Sequence, residues 1–178
     1  DYMSQKEGAE DAELKEYFSL VRKKAQQMKG MTDRLLESSR RTPALVENGR
    51  LLMEQLAGEW EEVLEERFSC DSSLEECADF QAEWDMQEIL RIFDNLSSNV
   101  EKYADAEQVV FLRIETVGDS LRILQKNAVG QTEQTRESNK IGLESIRRIA
   151  EGYGGSVAVS ATEQAFEIEI RLPITRGV

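Results

Sequence analysis

Residues 85–103, DMQEILRIFDNLSSNVEKY, decide how the rest of the chain is read. Asp85, standing ahead of an apolar-periodic run, predicts an N-cap and a helix extending to about Tyr103. With 3.6 residues per turn, Met86, Ile89, Phe93, Leu96 and Val100 share one face, which has to be the core face. Asn95, Asn99 and Lys102 fall at i, i+4 and i+7 and form a separate polar stripe. A solvated helix surface more usually mixes Glu and Lys there. Two amides and a lysine instead supply carbonyl ligands, donors and one point charge. That set suits a hydrated magnesium ion beside a phosphate chain. Taken alone the stripe is also what an ordinary exposed helix face carries.

The segments downstream add to it. Val109–Thr116 and Leu121–Gln125 alternate in hydrophobicity and meet at Val117-Gly118-Asp119-Ser120, a hairpin with suitable turn chemistry. Asn127 ends the second strand, just before a loop whose Gly130 can bring backbone close to a ligand. Residues 128–140 (AVGQTEQTRESNK) are polar and without pattern, so they read as a mobile, lid-like loop. Asn139 to Leu143 lead from that loop into a helix start, where free backbone amides favour phosphate. Ile141–Tyr153 is the predicted helix, with Leu143, Ile146, Ala150 and Tyr153 inward and Gly154-Gly155 ending it. Val157–Ala161 and Phe166–Leu172 form a second hairpin.

Upstream, Leu14, Phe18, Val21, Ala25, Met28, Thr32 and Leu35 are spaced 4, 3, 4, 3, 4, 3 within a long helix expected over 11–41. That is an a/d seam, which seeks a partner helix; an ordinary amphipathic helix on its own core is the plainer reading. Thr42-Pro43 breaks it. Beyond the break, Ala44–Glu47 reads as a short strand and Arg50–Arg67 as a helix with Leu52, Leu56, Trp60 and Val63 on one face. Phe68–Ser73 reads as a strand, and Phe80–Trp84 closes the polar loop before Asp85. Helices interleaved with mostly antiparallel strands predict an α+β two-layer sandwich over 44–178, with 1–43 as a separate, helical region.

Composition excludes several functions. The 178 residues hold 35 acidic and 22 basic groups, a net charge of −13. Residues 51–100 hold 14 acids and 2 bases, so nearly all of the excess sits there. Such a surface repels a phosphate backbone, which argues against nucleic acid as a partner. Cys70 and Cys77 are too few for a disulfide framework or a thiolate zinc site. The sequence contains no histidine, which removes Ser-His-Asp and Cys-His catalysis and His-ligated metals. No apolar run reaches the length of a membrane span.

Against this background the sequence resembles a known family. Residues 91–103, RIFDNLSSNVEKY, are similar to the N box of sensor histidine kinases of two-component systems. Residues 142–155, GLESIRRIAEGYGG, resemble the family's second glycine box and the helix after it. The hairpin, loop and closing strands follow in the family's order. The resemblance covers roughly 44–174 and implies the Bergerat-type ATP-binding sandwich shared with gyrases and related chaperones. That fold is a mixed, mostly antiparallel sheet under three helices. Helix 11–41 resembles the second helix of the dimerisation domain that precedes it.

The resemblance implies roles. Asn95 would hold magnesium against the phosphates of ATP, with Asn99 in support. Lys102 would contact phosphate, and Tyr103 would line the nucleotide pocket. Gly142 and Leu143 would open the helix beneath the phosphates, with Gly130 and Lys140 at glycine-box positions. Catalysis would rest on Asn95 and Lys102. In the first glycine box the family carries an Asp that reads the adenine amino group. Strict register puts Lys126 there, and a donor-only lysine cannot accept that hydrogen bond. A shift of one residue brings Asn127, whose carbonyl can, and Asn127 is the expected reader. The family's phosphoacceptor histidine is missing, so the chain is expected to be the catalytic part of a longer kinase and unable to autophosphorylate. The implied partners are a response regulator and a second copy joined through the dimerisation helices. The implied location is a cytoplasmic domain of a protein anchored in the bacterial inner membrane. Two other readings stand beside it. One is a degenerate, non-enzymatic dimerisation and nucleotide-sensing module, motivated by Lys126, Ala128 and Lys140. The other is an anti-sigma-factor-type Ser/Thr kinase on the same fold.

Overall fold

The computed structural model describes residues 42–130 and 139–176. The expected helix over 11–41 and most of the polar loop, 131–138, lie outside the described residues. In chain order the elements are β1 (Ala44–Val46), α1 (Gly49–Leu64), β2 (Cys70–Ser73), β3 (Phe80–Trp84), α2 (Met86–Tyr103), β4 (Val110–Val117), β5 (Ser120–Ala128), α3 (Asn139–Gly152), β6 (Ser156–Ala161), β7 (Ala165–Pro173) and β8 (Thr175–Arg176).

Two sets of strands form. The main sheet runs β2-β4-β5-β7-β6. β2 pairs parallel to β4, and every other pairing in it is antiparallel. The β4–β5 hairpin closes between Val117 and Ser120, with Gly118 at φ +60 at its tip, as a two-residue turn requires. A smaller antiparallel set, β1-β3-β8, flanks it.

Alternation along the strands sorts the two faces of the main sheet. Leu112 and Ile114 of β4, Leu121 and Ile123 of β5, and Ile168, Ile170 and Leu172 of β7 are all buried in one cluster. Met53, Leu56 and Trp60 of α1, Ile89, Ile92 and Leu96 of α2, and Ile146 and Ile149 of α3 close the same cluster from the helix side. The domain is therefore a two-layer α+β sandwich with one apolar core. The opposite face of the sheet carries ion pairs. Arg122 bridges Glu115 at 2.5 Å and Glu169 at 2.6 Å, and Arg171 reaches Glu169 at 2.7 Å. Each buried core side chain contributes ~1.5–3 kcal/mol, whereas an exposed pair such as Lys126–Glu167 contributes ~0–1 kcal/mol, and desolvation offsets much of what the more buried Arg122 pairs gain. The helix-side core therefore holds the fold.

Three expectations are corrected. On α1 the inward stripe is Met53, Leu56, Ala57, Trp60 and Leu64, while Val63 is 58% exposed. The apolar stripe runs one residue later than Leu52 and Val63 implied, because small Ala57 packs inward beside Leu56. Met86 is 40% exposed; as the first residue of α2 it precedes the packed stretch that starts at Ile89. Asn99 does not share a solvent-facing stripe with Lys102: it is buried, at 7% exposure, on the border of the core face. The two-residue strand β8, paired with β3, was not expected at all.

Candidate functional site

α2 and α3 lie side by side with opposite directions, held at one end by polar contacts and drawn close at the start of α3 by a glycine. At one end Asp85 caps α2, its Oδ1 accepting from the Gln87 amide at 2.9 Å. Its Oδ2 accepts from the Thr42 amide at 2.9 Å. The Tyr153 hydroxyl, just past α3, accepts from the Asp85 amide at 2.8 Å and donates to Glu88 Oε2 at 2.5 Å. At the other end Gly142, in the first turn of α3, meets Asn95 of α2. A Cβ at position 142 would stand 2.9 Å from Asn95 Oδ1, closer than ordinary van der Waals contact, so glycine sets the spacing of the helices there.

The two N-box amides are used differently. Asn95 is half-buried and donates from Nδ2 to its own helix, at the Arg91 carbonyl, 2.8 Å away. Asn99, one turn on, is buried, and its Nδ2 has no hydrogen-bond partner among the described residues. Lys102 is exposed and Tyr103 half-buried.

The end of β5 is stitched to the end of α2. Gly130 donates its amide to the Tyr103 carbonyl at 2.9 Å, the Asp105 amide donates to the Ala128 carbonyl at 2.9 Å, and Ala104 bridges Val129. A Cβ at Gly130 would lie 3.1 Å from the Ala104 carbonyl oxygen, so this glycine serves the backbone junction itself. Just before that junction Asn127 is buried on the helix-facing side. Its Nδ2 donates to the Ala128 carbonyl at 2.9 Å, and its Oδ1 has no partner among the described residues. Lys126 faces the other way and pairs with Glu167 at 2.7 Å on the outer face. Of the two residues weighed for the adenine position, only Asn127 is on the helix side.

α3 begins at Asn139, so Lys140 falls in its first turn, followed by Gly142 and half-buried Leu143. The structure therefore brings Asn95, Gly142 and Leu143 together across α2 and α3, and Tyr103, Asn127 and Gly130 together at the α2–β5 junction. Lys102 stands at the exposed rim of the latter. Two further polar groups, Ser145 Oγ on α3 and the whole Gln125 amide on β5, are buried without partners among the described residues. Alternation could have found Gln125, since it shares the face of Leu121, Ile123 and Asn127. Ser145 is hidden in a helix whose apolar neighbours dominate the pattern.

Among the described residues no group of three or more His, Cys, Asp or Glu could hold a metal ion. A divalent cation here would therefore need amide carbonyls and oxygens of a ligand. The thiols are not part of this layout. Burial, with Glu61 nearby, pushes Cys70 up to about 11, and burial also raises Cys77.

Comparisons with known proteins place this geometry. No curated protein matches the chain. The Acinetobacter baumannii histidine kinase AdeS superposes with a TM-score of 0.60 at 13% identity, covering 84% of this chain and 76% of that one. Full-length ShkA in complex with AMPPNP gives 0.61 at 18% identity, covering 78% of this chain and 32% of that one. Histidine kinase ThkA in complex with the response regulator protein TrrA gives 0.62 at 19% identity, covering 91% and 52%. At these identities the likeness is one of fold, and the fold is that of histidine kinase catalytic domains. The profile of the GHKL domain matches residues 85–173, half of the chain, and spans α2, β5 and α3 together. The chain belongs to the GHKL domain family.

Proposed function

We propose that the chain binds Mg-ATP between α2, the end of β5 and the start of α3, and positions the γ-phosphoryl group for transfer to a histidine outside these residues. One observation carries the reading. Asn99 Nδ2 on α2 and Asn127 Oδ1 at the end of β5 are buried without partners among the described residues, on two of the elements that meet at this site. Buried polar groups are ordinarily satisfied, and a nucleotide offers the missing donors and acceptors at the same place. That ShkA is seen with AMPPNP, and ThkA with a response regulator, supports the same assignment.

The residues divide the work. Asn127 Oδ1 accepts a hydrogen bond from the adenine amino group, its amide held in that orientation by the Ala128 carbonyl. Tyr103 lines the base side. Gly142 and Leu143 bring the first turn of α3, with its free amides, to the phosphates, where Lys140 falls as well. Lys102 supplies a positive charge at the rim. Asn95, expected beside the metal, has its Nδ2 on the Arg91 carbonyl and its Oδ1 beside Gly142. Magnesium takes oxygen ligands, so Asn95 and Asn99 would each offer it Oδ1, Asn99 from beside its unpartnered Nδ2. Magnesium held there would neutralise phosphate charge, the chemistry phosphoryl transfer calls for. In the transfer the bond from the γ-phosphorus to its bridging oxygen breaks, a phosphorus–nitrogen bond to imidazole forms, and ADP departs. This chain contributes orientation and charge.

A response regulator would take the phosphoryl group from that histidine, and a second copy of the chain would join through region 1–43. The reading as a non-enzymatic nucleotide sensor leaned on Lys126, Ala128 and Lys140; of these, Lys126 is turned away and paired with Glu167, so it is no obstacle to the base. The test is incubation with γ-labelled ATP, magnesium and a helical-hairpin fragment bearing the phosphoacceptor histidine. Acid-labile label on that fragment, lost with Asn99→Ala, is expected. Nucleotide binding with no label on a histidine would overturn the kinase reading. Label on serine or threonine of a protein substrate would favour the anti-sigma-factor type instead.

A further inference from the structure

Gln125 is fully buried in the middle of β5, and both polar atoms of its amide lack a hydrogen-bond partner among the described residues. For a core position this is the costliest arrangement of a polar side chain, because neither water nor protein replaces what burial removed. Its neighbours in register, Leu112 and Ile168, are apolar and buried. A methionine or leucine would pack among them with nothing left unsatisfied. Structure alone therefore gives no reason for an amide here. A partner outside the chain does.

The strand supplies the second observation. Asn127 is two residues further along β5 on the same face, so the two Cα atoms are about 7 Å apart. Gln125 has one methylene more than Asn127 and can lean toward it. Asn127 is not free to turn over: rotating its amide would set Oδ1 against the Ala128 carbonyl to which Nδ2 now donates. It therefore presents a fixed acceptor. Gln125, with neither atom committed, can set a donor beside that acceptor. Acceptor next to donor is the complement of the adenine edge, where the 6-amino group donates and N1 accepts. A 6-oxopurine carries the opposite pair, an accepting oxygen and a donating N1–H.

We infer that Gln125 is a second base-reading residue, its Nε2 donating to N1 of adenine while Asn127 Oδ1 accepts from the 6-amino group. The inference rests on the nucleotide site proposed above and adds its specificity: the pocket selects adenine over 6-oxopurines through an amide pair on one strand. A buried water on Gln125 is the competing explanation, and it predicts a purely structural role.

The experiment is a calorimetric titration of Mg-ADP, Mg-1-deaza-ADP (N1 replaced by CH) and Mg-IDP into the wild-type chain and Gln125→Met, with a melting curve of each without nucleotide. Wild type should bind 1-deaza-ADP about tenfold more weakly than ADP, the loss of one hydrogen bond, and IDP more weakly still. Gln125→Met should bind ADP about tenfold more weakly than wild type does, with no further loss for 1-deaza-ADP. Without nucleotide it should melt at or above the wild-type temperature, since two unbonded polar atoms are gone. Equal affinity of wild type for ADP and 1-deaza-ADP overturns the inference even if the variant fails to fold. So does a 1-deaza penalty that persists in Gln125→Met, or a variant that melts well below wild type. If wild type binds no ADP at all, the nucleotide site itself is refuted.

Discussion

Replacing Gly142 by alanine sets two effects against each other, and the structure says which one matters for binding. Alanine is the better helix former by ~1 kcal/mol, so on α3 alone the change should stabilise. Its Cβ, however, would stand 2.9 Å from Asn95 Oδ1. Asn95 cannot swing freely, because Nδ2 is bonded to the Arg91 carbonyl at 2.8 Å. Forcing the side chain off its rotamer costs ~0.5–1.5 kcal/mol, and loosening that hydrogen bond costs a similar ~0.5–1.5 kcal/mol. The terms partly offset in stability, leaving a net loss of ~0–2 kcal/mol, so the melting temperature should fall by no more than about 8 °C. They do not cancel in geometry: the start of α3 is pushed from α2, and Mg-ADP should bind about tenfold more weakly. In an Asn95→Ala background the obstruction is absent, so the same substitution should add the full ~1 kcal/mol of helix propensity. The assay is a double-mutant cycle read by urea denaturation and by nucleotide titration. A Gly142→Ala protein that gains ~1 kcal/mol with Asn95 present and binds Mg-ADP as wild type does would refute the close approach as a constraint on the site.

Other outcomes follow from the same geometry. Tyr153→Phe removes the hydroxyl that joins the Asp85 amide and Glu88; it should cost ~1–3 kcal/mol, read by chemical denaturation, and an unchanged midpoint would show that this end of the helix pair is held otherwise. Glu169 is held below the usual carboxylate range by Arg171 first and then Arg122, against an opposing effect of burial. A carboxyl whose folded pKa lies below its unfolded one stabilises above the unfolded value of about 4.5 and loses that contribution as pH falls through the lower folded value. Arg171→Ala should therefore narrow the difference in urea midpoint between pH 7 and pH 3; an equally wide difference would place the acid sensitivity elsewhere. Cys70, pushed up to about 11, should react with a thiolate-specific disulfide reagent at pH 7.5 on the order of 100-fold more slowly in the native than in the urea-unfolded chain. Equal rates would contradict its burial.

The parts of the fold legible in the sequence are those set by local periodicity. α2 declared itself because Ile89, Phe93, Leu96 and Val100 recur at helical spacing behind an Asp cap, and the β4–β5 hairpin because its alternation breaks at Gly118-Asp119. What escaped is non-local. The parallel pairing of β2 with β4 and the recruitment of Thr175–Arg176 as β8 depend on contacts between distant segments, which no window of sequence contains. The phase of α1 was misread because Ala57, small and ambiguous, turned out to decide which side faces in. At the site, residue types pointed to Asn95, Asn99 and Asn127, but their division of labour depends on hydrogen bonds. Asn95 is committed to Arg91, whereas Asn99 and Asn127 each keep an amide atom free. Which of Lys126 and Asn127 faces the helices is a question of strand parity, which pairing with β4 and β7 fixes and a glycine-box alignment does not. Gln125 passed unremarked because a polar residue ending an alternating run looks like the strand's exit to solvent.

The central claim is a nucleotide site built on Asn99, Asn127 and the start of α3, and calorimetric titration of Mg-ADP into the chain, beside Asn99→Ala, tests it most directly. The account predicts saturable binding of one nucleotide per chain, abolished by EDTA and by Asn99→Ala, with the variant's fold intact by circular dichroism. Absence of heat at millimolar nucleotide, or binding that Asn99→Ala and EDTA leave unchanged, would contradict it.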